Sequence, residues 1–393
     1  MTTMDRRKFI RDSLMVTAGA VAAGTLPSCS GELGRIAART SGSTASEGTL
    51  ELEWEDFTAQ MKYTFNISGS SRDSTPIVLT RLHWCGFTGY GEASMPPYLG
   101  ENHASVNAFL QKVRDEVLPR FRDAFLLEDI LAATDALAEG NCAAKASVDI
   151  ALHDLLGKVM GQPWWRIWGF DPDDTPWTCY TIGYDASDDI VRRKTSEAAW
   201  SRFLKVKLGQ SDAEDRRMIR LIREVCPDTP IYVDANQGWK DRVYAAEMCC
   251  WLAENGVVMV EQPMPKADLE GNGYVNSKSP VPVVADESCQ RLADIPRLQG
   301  AFRGVNIKLM KCTGMHEARE MVTLARSLGM DTMIGCMTET SVAISAAAQL
   351  APKMRWADLD GNILIANDCF SGMKLDEGRI MLDLLPGIGV KPL

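Results

Sequence analysis

The chain has 393 residues, 46% hydrophobic content and a net charge of −10. That is enough apolar material for a large core and more than one domain. The acidic balance argues against nucleic acid as a partner and reads as a solvated surface.

Residues 1–28 read as an export signal. Arg6-Arg7-Lys8-Phe9-Ile10 is a twin-arginine pattern, and small apolar residues follow from Ser13 to about Leu26. The run is shorter than the ~20 residues a membrane span needs. A basic stretch before a short apolar one is the layout of a signal peptide. The competing reading is an amphipathic N-terminal helix. Leu26-Pro27-Ser28-Cys29 loosely resembles a lipobox and makes Cys29 a candidate lipid anchor, although Pro27 is unusual there. Residues 29–50 are small and polar, as in a flexible tether. The expected location is periplasmic, with a membrane anchor if Cys29 is lipidated. Ten cysteines follow Cys29 without metal-binding spacing. Most lie in apolar periodic segments and are expected as free thiols, since the twin-arginine route carries folded chains.

Residues 51–170 read as an α+β capping domain. Alternation in LEWEDFTAQMKYTFNIS and TPIVLTRLHWCGFTGYGE predicts an antiparallel sheet with glycine-marked turns. From about Ser105 to Gly161, apolar residues at three- and four-residue spacing predict helix. His153 falls in this stretch and reads as structural. A segment rich in Trp, Gly and Pro, from Pro163 to Pro176, marks the boundary. Residues 171–365 read as a (β/α) barrel of the TIM type, and 366–393 as a return to the capping domain.

The barrel reading rests on charged residues that close short β-branched runs. They are Lys205 and Lys207, then Asp234, Glu261, Asp286 and Lys308, with Asp358 and Asp360 further on. From Lys207 the first four steps are 27, 27, 25 and 22 residues, room for a strand, a helix and two loops. Groups at the C-terminal ends of barrel strands share one mouth. Lys205 and Lys207, two apart, face the same way. Each ammonium is expected to lower the pKa of the other. A solvated surface strand is the plainer reading of one KxK, but Phe203, Leu204, Val206 and Leu208 enclose the pair. Three carboxylates on successive strand ends repel unless a cation sits between them, and an all-oxygen set suits one Mg2+. Lys207 and Lys308 flank the ligands on opposite sides, as two bases acting on opposite faces of one carbon require. Lys311, at an odd offset from Lys308, is expected to point away.

The set KxK, D, E, D, K is highly specific, and from about Glu51 to its end the chain resembles the enolase superfamily, in its muconate-lactonizing subgroup. The resemblance implies lysine bases and a Mg2+-stabilised ene-diolate. Asp358 and Asp360 form a DxD on strand eight, by itself either a turn acid pair before Gly361 or a clamp for an ammonium group. DxD here, and the run VNIKLMKCTG, resemble the L-Ala-D/L-Glu dipeptide epimerases. This implies a small dipeptide substrate, and the expected periplasmic location fits murein peptides as its source. Weaker candidates for substrate contact are Thr181 on the first strand, Cys336 and Thr338 on the seventh, and Arg72, expected to pair with a side-chain carboxylate. The loop from Ala93 to Ala104 has the make-up of a lid. Two other functions are weighed: a cycloisomerase or syn-dehydratase for an amine-free acid, which DxD disfavours, and a non-catalytic exported peptide-binding lipoprotein, which needs neither base. The sequence is compatible with a homo-oligomer.

Overall fold

The computed structural model describes residues 48–67 and 70–393. The twin-arginine pattern and the Cys29 lipobox lie outside these residues.

Three antiparallel strands come first, in the order β1 (Glu51–Ile67), β2 (Ser70–Trp84) and β3 (Phe87–Ser94). Strands β1 and β2 pair from Glu51↔His83 to Gln60↔Ser74, break register, and resume at Phe65↔Arg72. The break carries the hairpin beyond β3, which pairs with β2 only as far as Ile77↔Ser94. The helical stretch is three helices: α1 (His103–Lys112), α2 (Leu127–Asp135) and α3 (Cys142–Met160). Pro119 and a left-handed Gly140 interrupt it. Helix α3 is buried from Ala143 to Gly157, mostly apolar or small, with Lys145, Asp149, His153 and Asp154 buried among partners.

Eight parallel strands follow: β4 (Tyr180–Ile182), β5 (Leu204–Lys207), β6 (Ile231–Asp234), β7 (Val257–Glu261), β8 (Val283–Ala285), β9 (Gly304–Lys308), β10 (Asp331–Gly335) and β11 (Trp356–Asp358). They pair in chain order, and a bridge between Thr178 and Ala357 brings the last beside the first, closing a barrel. The helices between them are α4 (Asp188–Glu197), α5 (Asp212–Val225), α6 (Arg242–Glu254), α7 (Leu269–Lys278), α8 (Ile295–Leu298), α9 (Met315–Ser327) and α10 (Ser341–Ala348). Side-chain caps start several of them. Ser211 accepts from Glu214 N, and Asp241 accepts from Val243 N and Tyr244 N. Helix α5 buries Met218, Ile219, Leu221 and Ile222 against the barrel.

The barrel interior is layered, as strand periodicity demands. Cys179, Tyr232, Met259, Val284, Met333 and Trp356 form one buried cluster. Two residues beyond five of these stand Thr181, Asp234, Glu261, Asp286 and Asp358. An apolar plug therefore underlies the polar mouth.

The capping domain docks on the barrel through α3. Asp149 Oδ1 accepts from Met315 N at 2.5 Å and Asp149 Oδ2 from His316 N at 3.2 Å, capping α9. Gly314 at φ +125 makes the approach possible, because a side chain there would run into Asp149. His153 packs on Trp164 in the same region and hydrogen-bonds Asp149 O. After β11 the chain runs back along β1, with Lys62 N donating to Leu364 O and Ala366 N to Gln60 O. It ends against α3, where Ile388 N donates to Asp154 Oδ1 at 2.9 Å. The nine cysteines from Cys142 onward are free thiols.

Candidate active site

Asp234 and Glu261 end their strands in register with each other, and Asp286 follows β8. One oxygen from each lies within 4.8 Å of the others, and all three residues are buried. Only cations and amides hold such a group together. Lys207 Nζ donates to Asp234 Oδ2 at 2.7 Å, Lys308 Nζ to Asp286 Oδ2 at 2.7 Å, and Asn306 Nδ2 to Glu261 Oε1 at 2.8 Å. Lys205, fully buried, has its ammonium 2.6 Å from Asp358, 2.7 Å from Glu261 and 3.3 Å from Asp234. Burial keeps water from screening these charges, so each contact is strong.

Lys205 behaves differently from the sequence expectation of a lowered pKa. Burial does disfavour the Lys205 ammonium, but Asp358, Glu261 and Asp234 outweigh it and hold its pKa well above the usual lysine value. Lys308 is raised for the same reason, by Asp286 and Glu261 against burial. Among the carboxylates, burial raises Asp286, but Lys308 and Lys311 overcome it and hold the group well below normal. Glu261, buried and facing Asp234, is pushed up to about 7.

Lys311 is the second correction. It lies in the turn beyond β9, where strand alternation no longer applies, and it points into the site. Its ammonium donates to Asp286 Oδ1 at 2.5 Å, Asp286 O at 2.8 Å and Asn306 O at 3.0 Å. It thus fixes the third carboxylate. Asn306, two before Lys308 and on its face, is a further residue that the two-residue rule could have found.

Above this cluster opens a cavity of about 290 Å3. Lys207, Lys308, Asp286, Asp358, Asp360, Thr181, Cys336, Thr338 and Arg72 all line it, while Lys205, Asp234 and Glu261 lie beneath. In a closed eight-stranded barrel β5 and β9 are four strands apart, so Lys207 and Lys308 stand across the mouth from each other. Both oxygens of Asp358 are engaged: Oδ2 takes Lys205, and Oδ1 accepts from Cys179 Sγ at 3.2 Å. Asp360 accepts from Thr181 N at 2.6 Å through Oδ2, and the Thr181 side chain hydrogen-bonds it as well. Burial and the neighbouring Asp358 push Asp360 up to about 7. Arg72 bonds Thr75 through Nε and Thr338 through Nη2, while its Nη1 is buried with no hydrogen-bond partner among the described residues. Glu287, adjacent to Asp286, and Tyr98 also line the cavity, and the sequence reading named neither.

The donor set fits Mg2+: three buried carboxylates, all oxygen, with no His or Cys in the group among the described residues. Asp234, Glu261 and Asp286 would hold the ion, with the four lysines offsetting the remaining acid charge.

A barrel with lysines facing each other across an Asp-Glu-Asp triad, under an α+β cap, defines a family, and the chain matches it in both domains. Residues 54–169 match the mandelate racemase / muconate lactonizing enzyme N-terminal domain, and residues 190–393 the enolase C-terminal domain-like family. The chain belongs to the enolase superfamily. Among individual proteins, it is 55% identical over 344 residues to the L-Ala-D/L-Glu epimerase of Bacteroides thetaiotaomicron, covering 87% of this chain and 88% of that one. A dipeptide epimerase from Enterococcus faecalis, solved with Mg and the dipeptide L-Leu-L-Tyr, superposes with a TM-score of 0.81 at 30% identity, over 87% of this chain and 99% of that one. The substrate-liganded L-Ala-D/L-Glu epimerase from Bacillus subtilis gives 0.81 at 27%, over 86% and 98%.

Proposed function

We propose that this chain is a Mg2+-dependent dipeptide epimerase, acting on L-Ala-D/L-Glu from murein peptides in the periplasm. The observation that carries it is the mouth itself: two lysines on opposed strands, both anchored to one carboxylate triad, beside an acidic pair. The L-Ala-D/L-Glu relative at 55% identity supports the substrate. The twin-arginine pattern supports the location.

The substrate's C-terminal carboxylate enters above Asp234, Glu261 and Asp286. Bound Mg2+ supplies positive charge against that carboxylate and so lowers the cost of losing the adjacent α-proton. Lys207 and Lys308 then face the α-carbon from opposite sides. One starts neutral and removes the proton; the other starts as the ammonium and returns one to the far face. Lys205, held charged by its three carboxylates, is a fixed positive charge rather than a proton carrier. Asp360 and Asp358 take the N-terminal ammonium with their remaining acceptor capacity. Arg72 Nη1 takes the side-chain carboxylate of the second residue.

The test is α-proton exchange in D2O across a dipeptide panel, followed by NMR. Exchange and inversion at the second residue, with L-Ala-L-Glu or L-Ala-D-Glu preferred, is the expected result. No exchange in any dipeptide, with turnover of an amine-free acid instead, would transfer the site to a cycloisomerase or dehydratase.

A further inference from the structure

The reading above leaves one cavity-lining group unused. Tyr98 stands in the short turn Pro97–Leu99, within the segment whose composition suggested a lid. The residue is 53% exposed, yet it lines the cavity, and its hydroxyl turns inward. There Oη donates to Met337 Sδ at 3.0 Å. A thioether is a weak acceptor, so this is a poor resting place for a phenol. The guanidinium of Arg72 lies beside the same ring, 5.9 Å from its centroid, and 4.9 Å from the Phe65 ring on β1. Arg72 is thus held by two aromatic faces, by Thr75 and Thr338, and by a side-chain hydrogen bond with Tyr98, while Nη1 is buried without a hydrogen-bond partner of ordinary geometry among the described residues. A strong cationic donor and a phenol whose proton rests on a weak acceptor thus stand joined on the same wall of the cavity.

We infer that Tyr98 is a specificity-determining residue, its hydroxyl leaving the Met337 sulfur to donate to the side-chain carboxylate that Arg72 binds. The inference rests on the dipeptide reading and deepens it. A carboxylate has two oxygens and accepts about four hydrogen bonds, so one guanidinium nitrogen leaves it under-satisfied. The exchange of a thioether for a carboxylate acceptor favours the bound state. Because Tyr98 is on the lid segment, the same contact draws that segment over an acidic substrate and not over a neutral one. Selectivity for an acidic second residue would then come from two donors of the capping domain, one on strand β2 and one on the lid segment.

The experiment compares kcat/KM for L-Ala-L-Glu and L-Ala-L-Met in wild-type enzyme and in Tyr98→Phe, with Met337→Leu as a second variant. Tyr98→Phe keeps the ring beside Arg72 and removes only the donor. The expected result is a fall of about tenfold in the Glu-to-Met ratio, the scale of one hydrogen bond to a charged group, carried mainly by KM. Met337→Leu, which removes the resting acceptor and keeps the donor, should hold or raise the ratio. If Tyr98→Phe lowers both substrates equally, the hydroxyl only shapes the lid and the inference falls. If Met337→Leu lowers the ratio as much as Tyr98→Phe does, the sulfur contact is needed in the bound state and the inference also falls. Wild-type enzyme that exchanges no dipeptide proton would instead overturn the functional reading on which this one stands.

Discussion

Asp360→Asn separates what the acidic pair does for substrate from what it does for the fold. Asp358 is tied to Lys205 and Cys179, whereas Asp360 uses one oxygen on Thr181 N. An Asn carbonyl can keep the Thr181 bond and lose only the charge. One charge-assisted hydrogen bond to a substrate ammonium is worth about 1.5–3 kcal/mol, so kcat/KM for L-Ala-L-Glu should fall roughly ten- to a hundredfold. Stability should move the other way. The Asp360 carboxyl is raised from 3.8 to about 7 in the fold, by burial and then by Asp358. A raised acid contributes stability that is complete below its unfolded pKa and is lost as pH climbs through its folded one. Three units set an upper bound of about 4 kcal/mol. Ligand-free Asp360→Asn should therefore melt higher than wild type at pH 8 and show little difference at pH 4. Asp358→Asn should lose both activity and stability, because it breaks a buried ion pair, a change that costs about 3–5 kcal/mol. Paired kinetics and thermal melts across pH 4–8 read all of this. If N-acetyl-L-Ala-L-Glu and the free dipeptide turn over equally, or if Asp360→Asn changes neither quantity, the clamp reasoning is refuted.

Glu261→Gln should abolish detectable Mg2+ binding by titration calorimetry and turnover with it, while leaving the far-ultraviolet circular dichroism unchanged; full activity in strong chelator would contradict the metal assignment. Lys207→Ala and Lys308→Ala should each retain deuterium exchange with only one stereoisomer, opposite for the two, and neither should epimerise; equal exchange of both isomers by either variant points to one mobile base. Changing Arg6 and Arg7 together to Lys should leave the protein in the cytoplasm on fractionation. If Cys29 is lipidated, labelled palmitate enters the mature protein and is absent in Cys29→Ala.

The barrel and its mouth were legible because strand geometry is short-range. A period of two and a spacing near 25 residues place Lys205, Lys207, Asp234, Glu261, Asp286 and Lys308 on one inner surface without any knowledge of the tertiary structure. The rule failed one turn beyond a strand end, where Lys311 curls back onto Asp286. It was also applied incompletely, since Asn306 shares the face of Lys308. The lysine pKa direction was misjudged for a different reason. A pair seen alone in sequence repels, but in the fold three carboxylates from other strands crowd one of its ammoniums. Tyr98 was out of reach, because a lid side chain finds its partners across 239 residues of chain, at Met337.

Arg72 and Tyr98 belong to the capping domain, whereas the two lysines and the triad belong to strand ends of the barrel. On the proposed reading, the residues that choose the second side chain and those that transform the substrate are encoded in separate stretches of the gene. On that reading, a change in the hairpin or the lid can alter the preferred second residue without touching the lysines or the triad. The relatives include one solved with L-Leu-L-Tyr on the same scaffold, a range that such a partition makes accessible in few steps. For an engineer, the place to begin is residues 64–75 and 96–100, with the barrel left as it is.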